Sequence, residues 1–220
     1  MKTLLLASLL AIHGLFTTGC FFTNFQSPRA NKAGEITFGV HGAGVLVDGT
    51  DGGGTGAATI RVGTSIGEVG GTFTGFGAEA TFKVPITDPD GATHVALLGG
   101  VGTYLFVFPE INAGLLVGQD VGPVTPYIGY RQHAFAAGLH VGHVIGGVEL
   151  RVSDSVAILA EANYTNLFAG VSDEDSLLDA FNVPVVSLGL VFGNTRRPSE
   201  PTPPGVNAAP LPPTSGPPGL

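Results

Sequence analysis

The sequence predicts an all-β chain: an antiparallel up-and-down transmembrane β-barrel of about ten strands, with eight possible. Three observations carry this. Residues 76–86 read F-G-A-E-A-T-F-K-V-P-I. Phe76, Ala78, Ala80, Phe82, Val84 and Ile86 form an unbroken apolar face, whereas Gly77, Glu79, Thr81, Lys83 and Pro85 include two opposite charges. Successive strand side chains point to opposite faces, so one face suits lipid or a core and the other a polar interior. The pattern then recurs along the chain, with turn residues between the repeats. Finally, the composition is unusual: 35 Gly and 16 Pro in 220 residues, with only 12% charged. Disordered Gly/Pro-rich chains are polar, and this one is apolar on average; Gly-rich strands and turns in an apolar barrel account for both.

At the N-terminus, Met1 and Lys2 form a short positive region, and Leu4 to Phe16 is largely apolar, interrupted by Ser8 and His13. It is too short for a spanning helix and reads as a signal peptide over 1–19. Thr17-Thr18-Gly19-Cys20 resembles the bacterial lipobox, departing from it at Thr17. The resemblance implies that Cys20, the one cysteine of the chain, is acylated and becomes the mature N-terminus. A chain with one cysteine has no internal disulfide and no Cys-based metal site. Residues 20–34 then read as a lipidated tether leading to the first strand.

Alternation and turn signals place strands at about 35–47, 57–63, 66–73, 75–86, 93–106, 110–119, 123–133, 140–152, 155–166 and 183–193. Merging the weak pieces at 57–73 gives the eight-strand alternative. The fifth strand is ambiguous, with apolar residues on both faces. Tight connections at 64–65, 87–91, 120–122 and 153–154 alternate with longer ones at 48–56 and 167–182, the asymmetry of a barrel with periplasmic turns and outer loops. Two other outer connections, near Thr74 and Phe108-Pro109, are short. Even strand parity predicts periplasmic chain ends, and Tyr104, Phe106, Tyr130, Tyr164 and Phe192 fit girdle positions. The barrel is expected over 35–194. Beyond it, 195–220 holds more than half of the prolines, and reads as a disordered spacer facing peptidoglycan or periplasmic proteins.

Charges keep to one face of each strand, because a charge facing lipid costs about 2–4 kcal/mol at the midplane. The inward set is Glu35, Arg61, Glu68, Glu79, Lys83, Arg131, Glu149, Arg151 and Glu161. In a barrel of about eight to ten strands the lumen is just wide enough for side chains to fill. These residues therefore read as an ion-pair network plugging the interior, with a selective pore as the alternative. A soluble lipocalin-like cup is a third reading, and it would need the faces reversed. The net charge of −8, without Lys/Arg clusters, argues against nucleic acid as partner.

The stretches V-T-P-Y-I-G-Y-R (124–131), G-G-V-E-L-R-V-S-D-S-V-A-I-L-A-E-A-N-Y (146–164) and V-S-L-G-L-V-F (186–192) resemble small outer-membrane barrels of the OmpA/OmpW kind. The resemblance implies an outer-membrane location, contact with membrane lipids, and a terminal strand ending on Phe192 that the barrel-assembly machinery reads. It departs in the extension after Phe192.

Little points to chemistry, and no enzyme activity, cofactor or metal is expected. Gly63-Thr64-Ser65-Ile66-Gly67 matches G-x-S-x-G, yet residues 68–75 are β-patterned where a nucleophile elbow needs a helix. His140 and His143 fall on opposite faces of a strand, and His133 and His143 share a face but sit out of register. His133 with Glu161 or Thr165 is the one catalytic constellation that can be drawn. Asp48, Asp51 and 172–175 place acid in the outer loops without EF-hand spacing.

Overall fold

The computed structural model describes residues 24–45, 54–75, 77–104, 107–136, 140–168 and 184–193. The strands are β1 (Ile36–Val45), β2 (Gly54–Gly63), β3 (Glu68–Thr74), β4 (Gly77–Pro85), β5 (Thr93–Tyr104), β6 (Phe108–Gln119), β7 (Val124–Phe135), β8 (His140–Ser153), β9 (Val156–Phe168) and β10 (Pro184–Gly193). Each pairs antiparallel with its sequence neighbours, and β1 closes on β10 through Phe38 opposite Phe192 and Val40 opposite Leu190. The barrel therefore has ten strands. The eight-strand alternative fails because β2 and β3 are separated by a tight turn, in which Thr64 donates from both N–H and Oγ1 to the Gly67 carbonyl. A strand, not a helix, comes after that turn, so Ser65 sits on no nucleophile elbow.

One end of the barrel, the turn end, carries the connections 64–67, 86–92, 120–123 and 154–155; the other, the loop end, carries 46–53 and 169–183. At 88–91 the Asp88 side chain accepts from the Asp90 N–H and its carbonyl from Gly91, the expected Asp-Pro-Asp-Gly turn. The signal segment, Cys20, Phe106, the acidic loop residues and the Pro-rich tail lie outside the described residues.

Faces obey the alternation. In β4, Ala80 and Phe82 are exposed outward and Thr81 and Lys83 are buried inward. In β9, Ala157, Leu159, Glu161 and Asn163 point in, and Ile158, Ala160, Ala162 and Tyr164 point out. The ambiguous fifth strand turns His94, Ala96 and Leu98 inward and exposes Leu97 and Val101. Its inner face is apolar because it helps build an interior cluster of Leu98, Leu116, Tyr127, Ile145 and Leu159, with Val191 against it. Gly147 makes room for this cluster: a Cβ there would run into the Tyr127 ring.

The stretch before β1 differs from expectation. Residues 24–31, part of the expected tether, lie inside the barrel, with Asn24, Phe25, Gln26, Pro28 and Ala30 buried. The physical reason is supply and demand. Inward charges in a dry tube need hydrogen-bonding partners, and an extended main chain offers a donor and an acceptor at each residue other than proline.

Neighbouring glycines of β8 test the face assignment. Gly146 has open space at its Cβ position and Gly147 has the Tyr127 ring. Gly147→Leu is expected to destabilise the barrel by about 1–3 kcal/mol through overpacking, and Gly146→Leu by less than about 0.5 kcal/mol. The urea midpoint of each variant in detergent reads both.

Candidate functional site: the lumen and the segment inside it

Every Asp, Glu, Lys and Arg within the ten strands belongs to the inward series: Arg61, Glu68, Glu79, Glu110, Lys83, Arg131, Glu149, Arg151 and Glu161. They form separate clusters at different heights.

Near the turn end, Glu68 stands directly across from Lys83 in the β3–β4 ladder and accepts its Nζ at 2.9 Å. Arg61 of β2 approaches the same carboxylate at 3.6 Å. The other Glu68 oxygen accepts the Asn31 N–H at 2.8 Å. Lys83 also donates to the carbonyls of Ser27 (3.2 Å) and Arg29 (2.6 Å). One acid and two bases thus pair with each other and grip the main chain of the lumen segment.

Nearer the loop end, starting from the same strand β4, Arg131 of β7 pairs with Glu79, and both hold Asn112 of β6. This bridge crosses β5 at Gly100, where a Cβ would meet Glu79 at 2.7 Å and Asn112 at 2.9 Å. A glycine there lets the two side chains meet over an intervening strand.

At the β6–β7 turn, Asp120 gathers Thr125 Oγ1 (2.6 Å), the Arg29 guanidinium, His94 (3.2 Å) and Arg151 (3.5 Å). Burial alone would push its carboxyl up. The hydrogen bonds from Thr125 and Arg29 and the Arg29 charge outweigh that and bring it down to about 2.

Higher in the lumen, Glu161 meets the segment rather than a cation. Its carboxylate accepts the Phe25 N–H (2.8 Å), the Tyr127 hydroxyl (2.6 Å) and the Asn24 amide (3.2 Å). The Phe25 carbonyl accepts Arg61 at 2.6 Å, and the Phe25 ring lies tilted against His41, centroids 4.5 Å apart. Phe25 has φ of 46°, a left-handed conformation that a bulky residue adopts at a cost of order 1–3 kcal/mol. The paired contacts to Glu161 and Arg61 hold it there. Glu149 borders a cavity of about 50 Å³ lined also by Ser27, Arg29, Glu68 and Lys83.

The histidines arrange themselves differently from the sequence expectation. The carboxylate beside His133 is Glu110 on β6, at 3.1 Å, and not Glu161, which is engaged by Tyr127 and the segment. His133 and His143 are offset in register, yet their rings touch edge to face at 5.1 Å. Among the described residues no group of three His, Cys, Asp or Glu is placed to hold a metal. Sequence reasoning misses Glu110, Asp120, His94, Tyr127 and the whole segment 24–31. Glu110 shares the parity of Asn112, a signal that could have found it. Arg29 and Asp120 lie off the strands, where alternation gives no signal.

Lys83→Met leaves Glu68 with the more distant Arg61 as its cation and should cost about 3–5 kcal/mol, while Lys83→Met with Glu68→Leu should recover much of that; a double-mutant cycle on unfolding free energy checks it. Asp120 has its folded value below its ordinary 3.8, so its contribution is present above that value and lost as pH falls toward about 2. Stability should drop by about 2 kcal/mol across that window, and Asp120→Asn should remove this slope from an acid titration of the unfolding midpoint.

No family model matches the chain, and no curated protein matches it. Solved structures do. A de novo designed transmembrane β-barrel is similar at 14% identity, over 74% of this chain and 98% of that one, with a TM-score of 0.40. Neisserial surface protein A is similar at 15% identity, over 74% and 96% of the two chains, with a TM-score of 0.35. The attachment invasion locus protein of Yersinia pestis, Ail, is similar at 12% identity, over 73% and 95%, with a TM-score of 0.23. These scores are too low to carry function from those proteins to this chain.

Proposed function

We propose that the chain is a lipid-anchored outer-membrane β-barrel with a closed lumen and a structural or surface-interaction role. The observation that carries this reading is the outer surface. Phe38, Val40, Ile60, Val69, Phe73, Val101, Ile111, Ile128, Val148, Leu150, Leu188 and Leu190 stand exposed around the barrel, and no strand places an Asp, Glu, Lys or Arg among them. A soluble domain does not expose so large a contiguous apolar surface. A lipocalin-like cup needs the reverse arrangement.

Other features support the same reading. Most strands have 9–14 residues, matching the roughly 9–11 that a tilted membrane strand requires. The main chain is closed with no free edge. Exposed Tyr130 and Tyr164 share a rung through Val144, while Phe38 and Phe192 pair near the turn end. These are two aromatic levels at the heights of two interfaces. With turns on the periplasmic side, 46–53 and 169–183 face outward, and the Pro-rich tail after β10 faces the periplasm. The filled lumen favours a plugged barrel over a solute channel.

The test uses SDS gels of the outer-membrane fraction with and without boiling, together with planar-bilayer conductance. The intact chain is expected to shift mobility on heating and to pass no steady current. Ala80→Arg should abolish the heat-modifiable form. Deleting residues 24–31 should raise conductance if a barrel forms. A chain that shows no heat shift and leaves the membrane once Cys20 is replaced by Ser would be a soluble β lipoprotein. A steady current from the intact chain would make it a channel.

A further inference from the structure

We infer that the N-terminal chain threads the barrel from the loop end to the turn end, so that Cys20 and its lipid sit at the outer face of the membrane. The inference rests on the proposed outer-membrane reading, and it reverses the expectation that the N-terminal anchor is periplasmic.

The direction of the segment is set by what each residue touches. Phe25 packs with Ala43, Ala57 and Val185, which lie close to the strand ends leading into 46–53 and 169–183. Ser27 and Arg29 meet Lys83 farther down, and Arg29 reaches Asp120 in a turn-end connection. Asn31 meets Glu68 and Thr37, and Lys32 pairs with Asp90 in another turn-end connection. From 24 to 32 the chain descends from the loop end to the turn end, and β1 then climbs back through the wall.

The grip is on main-chain atoms. Glu161 and Glu68 accept the N–H groups of Phe25 and Asn31; Arg61 and Lys83 donate to the carbonyls of Phe25, Ser27 and Arg29. Acids take the N–H groups and bases the carbonyls, so the lumen holds the chain by its backbone, as a sleeve does.

Reach decides where Cys20 goes. Three residues separate it from Asn24, so the four steps span at most about 14 Å. From the Ala43 level the strand end at the loop side is roughly 7 Å away, and the turn side about 23 Å. The way down is also filled, by residues 25–31 and by the Leu98, Leu116, Tyr127, Ile145 and Leu159 cluster. Cys20 therefore leaves by the loop end. Acyl chains there insert in the outer leaflet beside the barrel, while β10 ends at the turn end.

The experiment labels intact Gram-negative cells expressing the full chain with a membrane-impermeant maleimide. It compares Phe22→Cys with Asp175→Cys in the long connection and Ser215→Cys in the tail. Phe22→Cys and Asp175→Cys are expected to label in intact cells, and Ser215→Cys only after the outer membrane is opened. Labelling of Phe22→Cys only together with Ser215→Cys overturns the threading. If Phe22→Cys is silent in both conditions, the double variant Phe25→Cys with Ala43→Cys decides: an oxidative cross-link supports the threading, and its absence overturns it. Labelling of the unmodified chain at Cys20 in intact cells retains the threading and removes the lipid. Loss of the heat-modifiable form in the unmodified chain, or equal labelling of Asp175→Cys and Ser215→Cys in intact cells above the labelling of the unmodified chain, overturns the outer-membrane reading itself, and the threading with it.

Discussion

A charge kept off one face of a strand must appear on the other, and in a closed ten-stranded barrel the other face lines a narrow tube. That constraint organises the molecule. The outward positions of the ten strands carry no Asp, Glu, Lys or Arg because the inward ones hold all of them, and the inner face can hold them only if each charge finds partners. Buried charges left alone cost several kcal/mol each. Neighbouring strands answer part of the demand, as Glu68 and Lys83 do across one rung. The rest is met by a length of the chain's own backbone.

The two walls of the lumen solve the problem differently. On β5–β9 the inner face carries Leu98, Leu116, Tyr127, Ile145 and Leu159, which pack as a small core beside charged groups such as Glu161. On β2–β4 it carries Arg61, Glu68 and Lys83, which hold the main chain of the segment. Glu161 and Tyr127 join the two halves: the Tyr127 ring belongs to the apolar cluster and its hydroxyl to the carboxylate that holds Phe25. The barrel is thus filled by an apolar cluster and a threaded chain together.

The strands are legible in the sequence because a period of two is a strong signal when one face is apolar without interruption. Phe82, Val84, Ile158 and Ala160 announce theirs. The face of β5 is not legible, since Ala96 and Leu98 look inward at an apolar cluster assembled from four other strands, a fact of tertiary packing that no local pattern encodes. The charged positions are readable by parity, yet their partners are not: Glu161 looks on paper like one half of an ion pair and instead accepts the Phe25 N–H from 136 residues away. The segment 24–31 gives the weakest signal, because main-chain hydrogen bonding leaves no mark on side-chain pattern. Its only marks are Arg29 and Asn31 in a stretch with no alternation, beside a lumen with unmatched acids.

The segment's attachment to β1 has a thermodynamic consequence. Only a few residues around Gly34 separate it from the barrel wall, so docking is intramolecular, at an effective concentration of order millimolar for a short flexible link. A free peptide of the same sequence at 1 mM would need about 4 kcal/mol of binding free energy to fill half the lumens. At a comparable effective concentration the tethered segment meets the same requirement without any outside supply of peptide, and a few hydrogen bonds, worth about 1–3 kcal/mol each at charged groups, satisfy it. The same arithmetic makes the lumen a poor receptor for outside peptides, since each must displace a resident that is never diluted.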